Sequence, residues 1–428
     1  MTRSPKTLQV INRCRSCDGE RLVSVLDLGR QPLANALLES PRRKEAAYPL
    51  SISYCGDCSL VQLDQTIDPA KLFSRYVWVT GTSTTASRFA DRFCDELLRR
   101  SGVAKGSFVL EAASNDGTFL RPFLRRGLRV LGVDPARNIV ALANKAGVPS
   151  HCAFFGEKVA RGLARTRGPA QLVFARNVLP HVEDPHDFIE GLRAALEPEG
   201  VLAIEVHHAK VILEGLHYDS IYHEHLCYFT LKSLERLLNR HGLFAFDLST
   251  SPISGGSIVV YARRRLVAPS RALRALRDQE ERAGTNRLAS WRLFAKRAFS
   301  HRRGLIEAVK RLGRGGRRVV GWGASARSST MLNFCRIDHR LLAEIADMNP
   351  LKQGLHTAGT LIPIRAPEEV LARDPAGVLL LAWNFTDEIV GLLRGFKSKA
   401  DLLLPLPGAP RILRESAWSR RSLKKSYS

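Results

Sequence analysis

The segment YHEHLCYF, Tyr222 to Phe229, holds two histidines, two tyrosines and a glutamate within eight residues. Histidine titrates near neutral pH and can move a proton, whereas tyrosine and glutamate can hold a ligand or stabilise developing charge. His223 and His225 could therefore be metal ligands, a proton-transfer pair, or polar side chains at the mouth of a buried segment. Residue types alone leave these three uses open, because a histidine beside a strand end is often structural.

Four of the eight cysteines have the spacing of metal ligands. They form two C-x-x-C pairs, and two such thiolate pairs can close a tetrahedral zinc site. A zinc ion with four protein ligands has no open position for a substrate, so we expect a structural Zn²⁺. Unrelated cysteines or a redox dithiol are the alternatives. The predicted ligands are Cys14, Cys17, Cys55 and Cys58.

From Ser107 onward, short apolar segments alternate with helical ones, which predicts a doubly wound α/β domain with a parallel sheet. A closing pair, LFAFDLS and GSIVVYARRR, is compatible with an antiparallel hairpin. This order of elements is similar to that of the S-adenosylmethionine (SAM)-dependent methyltransferases. The four preceding strands are predicted at SFVLEAAS, RVLGVDPA, QLVFARNVL and VLAIEV.

Acidic and amide residues lie where a nucleoside cofactor would be held. Glu111 ends the first predicted strand and Asp134 ends the second, the position from which an acid can bind a ribose diol. Between them, Asn115, Asp116 and Gly117 form the turn into the first helix. The segment EAASNDG has alanine where nucleotide loops more often have glycine. Without a full G-x-G-x-x-G, a dinucleotide oxidoreductase is the second choice.

Length and charge bound the remaining possibilities. A chain of 428 residues predicts two to four domains. The net charge of +24 is spread along the chain, and aromatic residues make up only 7%, which argues against a stacking platform for single-stranded nucleic acid. No apolar run approaches the ~20 residues of a membrane span, and the N-terminus lacks a signal-peptide run. We expect a cytoplasmic protein without a membrane partner, and nucleic acid is not the expected partner.

A second α/β unit follows an arginine-rich helical stretch at residues 266–312. In RRVVGWGASARSSTML, small residues between a strand and a helix let an anion approach the helix N-terminus. Its second strand shows no acid-ended fingerprint, so a structural dimerisation domain is the alternative. The expected domains are 1–70 (zinc), 71–265 (cofactor) and 266–410 (C-terminal α/β), followed by a basic tail at 411–428.

Taken together, the chain resembles the three-domain sugar C-methyltransferases, which methylate C3 of nucleotide-activated 4-keto-deoxysugars. In that family the three domains bind zinc, SAM and the nucleotide part of the sugar. The resemblance implies Asn177 as a further cofactor residue, and Tyr76, His181, Tyr222, Glu224 and His225 as the active-site set. It covers nearly the whole chain and rests on the cysteine pairs with LGRQPLANAL, and on RYVWVTGTS, EAASNDG, GVDPA, NVLPHVEDP, DSIYHEHLCYF, GGSIVVY, GWGASARSSTMLN, DMNPLKQG and LAWNF.

The resemblance also implies a separate catalytic role for each residue of the active-site set. A 4-keto group acidifies the proton at C3, and His225 would take that proton while a donor stabilises the enolate oxygen. Tyr222, Tyr76 and His181 would supply position and donors, and Glu224 would orient a sugar hydroxyl, an amine or a histidine. We expect His223 to be structural, and the resemblance does not single out His207 or His208.

The expected substrate is a nucleotide-diphosphate 4-keto-deoxysugar, with thymidine diphosphate as first choice, and the expected state is a monomer or homodimer. Two alternatives stay open. One is a methyltransferase of another acidic or nucleotide substrate, nucleic acid included. The other is an inactive binding protein that retains the methyltransferase shell.

Overall fold

The structure is a computed structural model that describes residues 8–42, 45–73, 79–82, 84–251 and 255–419. Within them the strands are, in chain order, β1 (Leu8–Val10), β2 (Leu22–Pro32), β3 (Ala47–Cys55), β4 (Val61–Leu63), β5 (Gln65–Ile67), β6 (Phe108–Ala112), β7 (Arg129–Asp134), β8 (Ser150–Cys152), β9 (Ala170–Arg176), β10 (Leu196–His207), β11 (Cys227–Tyr228), β12 (Phe244–Ser251), β13 (Ser257–Arg263), β14 (Val319–Trp322), β15 (Ile345–Ala346), β16 (Ile364–Arg365), β17 (Gly377–Leu380), β18 (Asp401–Leu404) and β19 (Arg411–Leu413).

The helices of the same ranges are α1 (Pro69–Phe73), α2 (Thr84–Ser101), α3 (Arg121–Arg125), α4 (Arg137–Lys145), α5 (Glu157–Arg167), α6 (Pro185–Ala195), α7 (Ala209–Gly215), α8 (Leu231–Arg240), α9 (Arg271–Arg282), α10 (Leu288–Leu312), α11 (Ala326–Cys335), α12 (Pro367–Leu371), α13 (Thr386–Gly395) and α14 (Glu415–Trp418). Among the described residues, no helix combines the length and the apolar character needed to cross a bilayer.

The chain divides into two compact units. Unit 1 consists of the described parts of Met1–Val23, Ser53–Lys210 and Glu224–Leu288. Unit 2 consists of those of Ser24–Ile52, Val211–His223 and Ala289–Ser428. The YHEH motif is therefore shared, with His223 in unit 2 and Glu224 in unit 1.

Unit 1 contains the expected α/β sheet, with strand order β12-β13-β10-β9-β6-β7-β8. Strands β6 to β10 run parallel, and β13 pairs antiparallel with both β10 and β12, which confirms the predicted closing hairpin. Apolar residues of α2 recur at helical spacing, so that Phe89, Phe93 and Leu97 bury one face against the sheet core. Sequence reasoning did not find β8 and α5.

The parallel strands of unit 1 place their carboxyl ends at one edge of the sheet, where open α/β sheets bind ligands. β7 ends at Asp134, and β9 is followed by Asn177 and a short 3₁₀ helix, Leu179–His181. Outside this sheet, β4 pairs antiparallel with β11, which brings Gln62 opposite Cys227. The segment after the second cysteine pair is thus bonded to the end of YHEHLCYF.

Unit 2 contains a six-stranded sheet of order β16-β15-β14-β17-β18-β19. Numbered along the chain this is 3-2-1-4-5-6, the order of a Rossmann fold, with β19 as an antiparallel edge. The expectation that its second strand lacks an acid is wrong, because Asp347 directly follows β15. Residues 411–419, which the sequence assigns to the basic tail, form β19 and α14, and the Trp418 side chain is fully buried.

Candidate functional site

The four predicted zinc ligands converge in unit 1. Their sulfur atoms all lie within 4.8 Å of one another, with Cys14 and Cys58 at 3.4 Å and Cys17 and Cys55 at 3.6 Å. Tetrahedral zinc with Zn–S bonds of about 2.3 Å requires sulfurs about 3.8 Å apart, so the arrangement fits the ion closely.

Each cysteine pair lies on a knuckle of the same construction. The amide of Ser16 donates to Cys14 Sγ and the amide of Asp57 donates to Cys55 Sγ, both at 3.4 Å. The residue after the second cysteine has a left-handed backbone in both knuckles, with φ of 60° at Asp18 and 67° at Ser59. Backbone donors aimed at sulfur stabilise thiolate, and thiolate is the form that binds metal.

The thiols do not ionise together without a cation. The hydrogen bond with Cys58 lowers the pKa of Cys14 to about 6 and raises the pKa of Cys58, while burial raises the pKa of Cys17 to about 12. A Zn²⁺ ion would offset two of the four negative charges and coordinate all four thiolates, which releases the remaining protons. These four residues therefore suit a structural zinc site.

Hydrogen bonds connect the first knuckle to the strand beside the YHEH motif. The Arg15 amide donates to Gln62 Oε1 at 2.8 Å, and the Arg15 guanidinium donates to the carbonyl of Leu63 at 2.5 Å. Gln62 lies opposite Cys227, and the Leu63 amide donates to the carbonyl of Leu226 at 2.9 Å. The knuckle thus supports the backbone immediately after His225.

Asp134 organises the turn at the predicted cofactor site. One carboxylate oxygen accepts the amide of Asn115 and the other accepts the amide of Ala136, each at 2.9 Å. Burial raises the pKa of Asp134 above its ordinary value. Each carboxylate oxygen can accept a further hydrogen bond, so Asp134 remains able to bind a ribose diol.

Asn115 and Asp116 also hold a neighbouring segment. The Asn115 side chain accepts the amide of Thr80 at 2.9 Å, and that of Asp116 accepts the amide of Gly81 at 3.2 Å. A side chain at position 81 would collide with the Asp116 carboxylate, at 2.5 Å from the added Cβ. These two predicted cofactor residues therefore also fix residues 80 and 81 over the turn.

The turn requires unusual backbone angles. Ala113 has a φ of 57°, Asn115 of 49° and Gly117 of 73°. A Cβ on Gly117 would also lie 2.6 Å from Val148, so only glycine fits there. The alanine noted in EAASNDG thus occupies a left-handed position that glycine would adopt without strain.

Beside the turn, Glu111 is 2% exposed at the end of β6, and its Oε2 has no partner among the described residues. Burial holds the pKa of Glu111 well above its ordinary value, an effect that the nearby Arg176 opposes. Arg176 itself pairs with the buried Glu205 at 2.7 Å. An unsatisfied buried acceptor next to a glycine-dependent turn is what a nucleoside cofactor with amino and hydroxyl donors would complete.

Asn177 continues the same edge. Its φ is 51°, and its amide donates to the carbonyl of Glu205 at 2.8 Å, so the chain leaves β9 sharply toward the 3₁₀ helix at Leu179–His181. The Asn177 side chain accepts a long hydrogen bond, 3.5 Å, from Ser257. This turn brings His181 to the edge of the sheet that carries Asp134.

His181 and His225 meet within unit 1. Their ring centroids are 4.7 Å apart with the planes at 75°, and Phe73 packs edge-on against His181 at 5.8 Å. The amide of Leu226 donates to the carbonyl of Pro180 at 2.7 Å, which fixes the two backbones beside each other. Desolvation lowers the pKa of His181 to about 4, so its imidazole is neutral at pH 7.

The other residues of the predicted active-site set do not all belong to unit 1. Glu224 is buried in unit 1, whereas Tyr222 belongs to the 211–223 segment of unit 2 and is half-buried. Tyr76 lies outside the described residues. His223, expected to be structural, is buried, and its Nε2 donates to the carbonyl of Pro49 at 3.0 Å.

Three family models match successive parts of the chain. They describe a zinc binding domain at residues 14–73, a methyltransferase domain at 86–245 and a C-methyltransferase C-terminal domain at 252–407. The chain is also 34% identical over 413 residues to the C-methyltransferase NovU of Streptomyces niveus, an alignment that covers 94% of this chain and 97% of NovU. The chain belongs to this C-methyltransferase family.

Other matches are partial. The ubiquinone biosynthesis O-methyltransferase of Rhodopseudomonas palustris is 28% identical over 156 residues, 32% of this chain and 62% of that protein. The SAM-bound magnesium protoporphyrin IX methyltransferase of Synechocystis covers 42% of this C-methyltransferase and 79% of its own chain, with 16% identity and a TM-score of 0.33. A TM-score of this size is too low to support an inference, so the family assignment rests on NovU and the three family models.

The C-methyltransferase thus has SAM as its methyl donor, a structural zinc site and a second α/β domain. The dinucleotide oxidoreductase is excluded as an interpretation of unit 1, because the methyltransferase family model covers all five parallel strands of its sheet, β6 to β10. His208, which the sequence left open, is a structural residue whose Nε2 lies 2.7 Å from Glu280. Glu280 also accepts the first amides of α8.

Sequence reasoning missed a buried cluster in unit 2 of the C-methyltransferase. The Arg327 guanidinium pairs with both oxygens of Asp219 at 3.1 Å, and Trp383 donates its indole hydrogen to the same carboxylate at 2.8 Å. Asp219 is fully buried. Arg327, which lies in the first turn of α11 near the expected anion site, is therefore charge-compensated in this structure. The DSIYHEH motif was the available signal, because its first residue is Asp219.

Proposed function

We propose that this C-methyltransferase methylates C3 of a nucleotide-activated 4-keto-deoxysugar, with thymidine diphosphate as the carrier, through an enolate formed by a histidine base. The observation that supports the proposal is the pairing of His181 and His225, with ring centroids 4.7 Å apart, in the unit that holds the cofactor turn. Carbon methylation needs a carbanion equivalent, and two imidazoles of different character can generate and stabilise one.

The two histidines suit different tasks. With a pKa of about 4, His181 is a poor base, but its neutral ring can donate a hydrogen bond to an enolate oxygen. His225 is half-buried and is the remaining imidazole of the pair, so we assign to it the removal of the C3 proton. Bound SAM supplies the electrophilic methyl group that the substrate carbon takes.

The 4-keto group is the feature that makes this chemistry feasible. It acidifies the neighbouring C3–H bond, and deprotonation places the negative charge on the carbonyl oxygen. His181 as donor and His225 as base would face the two ends of the same enolate. Holding the substrate at near-attack distance supplies the remainder of the rate enhancement.

Glu224, Tyr222 and Tyr76 complete the proposed set. We assign Glu224 to orienting a sugar hydroxyl or amine, or His225 itself, and the tyrosines to positioning and charge stabilisation. Unit 2 would hold the nucleotide diphosphate of the substrate. We further propose a cytoplasmic enzyme that acts as a monomer or homodimer.

The deciding experiment incubates purified protein with SAM and a panel of nucleotide-linked 4-ketosugars that differ in base and in the C3 substituent. Mass spectrometry should show a gain of one methyl group for at least one thymidine diphosphate sugar, and NMR should locate the new carbon bond at C3. Methylation on oxygen or nitrogen would refute the proposed carbanion route. Methylation only of nucleic acid or of unrelated acids would refute the substrate class.

A further inference from the structure

A cationic cavity in unit 2 lies apart from the residues discussed so far. It has a volume of about 310 Å³, near the lower end for small-ligand sites. We call it the arginine pocket and define it by six of its lining residues, which come from the β2 region, α10 and the end of α11. These are Asp27, Arg30, Phe299, Arg302, Phe334 and Arg336.

The charges of the pocket are poorly compensated. Among the described residues, the guanidinium groups of Arg302 and Arg336 have no carboxylate or hydrogen-bond partner. The Arg30 side chain donates to the carbonyl of Ala47, which is a neutral acceptor. The single acid, Asp27, accepts the amide of Gly29 at 2.7 Å. Three cations against one anion leave a positive surplus that attracts an anionic ligand.

An aromatic wall adjoins these charges. Phe299 is 41% exposed, which is unusual for so large an apolar side chain, and its ring meets Phe334 at 5.4 Å. The Arg302 guanidinium lies over the Phe334 ring at 5.2 Å. This contact holds the cation beside an open phenyl face, a combination that accepts both a planar ring and an anion.

The pocket is remote from the end of the unit 2 sheet where α/β folds bind nucleotides. That end carries Asp347 and the N-cap Ser325 of α11, whereas Arg336 is the C-cap of the same helix. Ten helical residues separate the two ends by about 15 Å.

We propose that the arginine pocket is a second ligand site, which binds a nucleoside phosphate with its phosphate on Arg302 and Arg336 and its base against Phe299. The site is distinct from the nucleotide-sugar site proposed above, and its existence does not depend on that proposal. Arginine is suited to the role because its planar guanidinium donates two parallel hydrogen bonds to phosphate.

The test uses thymidine 5′-monophosphate, inorganic phosphate and thymidine as probes of the full chain in calorimetry at low salt. Arg302→Gln is compared with Arg303→Gln, a matched change of the exposed neighbour on α10 that does not line the pocket. We expect Arg302→Gln to lose one equivalent of bound monophosphate, or to weaken that site at least about tenfold, with Arg303→Gln unchanged. Any monophosphate bound at the nucleotide-sugar site remains in both variants.

Two further variants should change the affinity for the monophosphate in opposite directions. Asp27→Asn removes the opposing charge but keeps an acceptor for Gly29, so it should tighten binding several-fold. Arg336→Gly removes a cation at a φ of 53°, where glycine is unstrained, so it should weaken binding while leaving thermal stability equal or higher. Equal affinities in Arg302→Gln and Arg303→Gln, or no binding of the monophosphate to this pocket at low salt, would overturn the proposal.

Discussion

The ring of His181 packs edge to face against the ring of His225, with centroids 4.7 Å apart. The first histidine follows a strand of the cofactor-binding sheet, and the second precedes a strand paired with the zinc-knuckle segment. This single ring contact therefore links the edge of the sheet where the cofactor is expected to the segment beside the zinc site.

His225→Asn should slow methylation at least ~100-fold while leaving substrate binding intact, because it removes the proposed base but keeps a polar side chain. Exchange of the C3 proton with deuterated water isolates the same step, with an enzyme-free control for spontaneous exchange. His223→Asn serves as the matched variant within the motif and should alter stability more than exchange. Equal exchange rates in wild type and His225→Asn would show that another residue is the base.

His181 should make stability depend on pH. Its folded pKa of about 4 lies below the ordinary 6.5, so between these values the unfolded chain binds a proton that the folded chain does not. The contribution of His181 to folding stability is therefore fully present above pH 6.5 and is lost as the pH falls toward 4. In urea titrations between pH 7 and 4.5, His181→Gln should lose less stability than wild type, by on the order of 1–3 kcal/mol. Parallel curves would contradict a buried neutral imidazole.

Cys55→Ser should abolish zinc binding and lower the melting temperature, whereas the exposed Cys152→Ser should keep about one zinc per chain. Elemental analysis and thermal unfolding measure both effects. The knuckle supports β4, which pairs with β11 just after His225, so proton exchange should also fall in Cys55→Ser. Full metal content in that variant would refute the zinc site.

Asp134→Ala should weaken binding of S-adenosylhomocysteine at least about tenfold, because it removes the proposed charged acceptor for the ribose and frees the amides of Asn115 and Ala136. Asp91→Ala, an exposed acid on α2 that pairs with Arg125, is the control. Calorimetry gives both affinities. If the two variants bind equally well, the ribose is held elsewhere.

Ala113→Gly should raise the free energy of unfolding by about 1 kcal/mol, since glycine adopts a φ of 57° without the penalty that a Cβ carries. Gly117→Ala is the reciprocal variant and should be strongly destabilising, because its Cβ would meet Val148. Chemical denaturation compares the two. A destabilised Ala113→Gly would mean that the chain's flexibility in the unfolded state outweighs the backbone strain.

Local sequence patterns predict much of the architecture. The two C-x-x-C pairs predict their metal, and the alternation of apolar strands with helices predicts that both larger sheets belong to α/β domains. The acids at strand ends, Glu111 and Asp134, are recognisable because a parallel sheet brings the ends of its strands to one edge. Each of these signals lies within a few residues along the chain.

The tertiary structure decided which distant side chains meet. The contact between His181 and His225 depends on how the turn after β9 approaches the strand that follows YHEH, and no local spacing records that approach. The same is true of Arg327, whose charge is compensated by Asp219 from a separate segment. Trp418 lies in a basic stretch and is nevertheless buried, because burial depends on the surface that a folded sheet presents rather than on neighbouring charges.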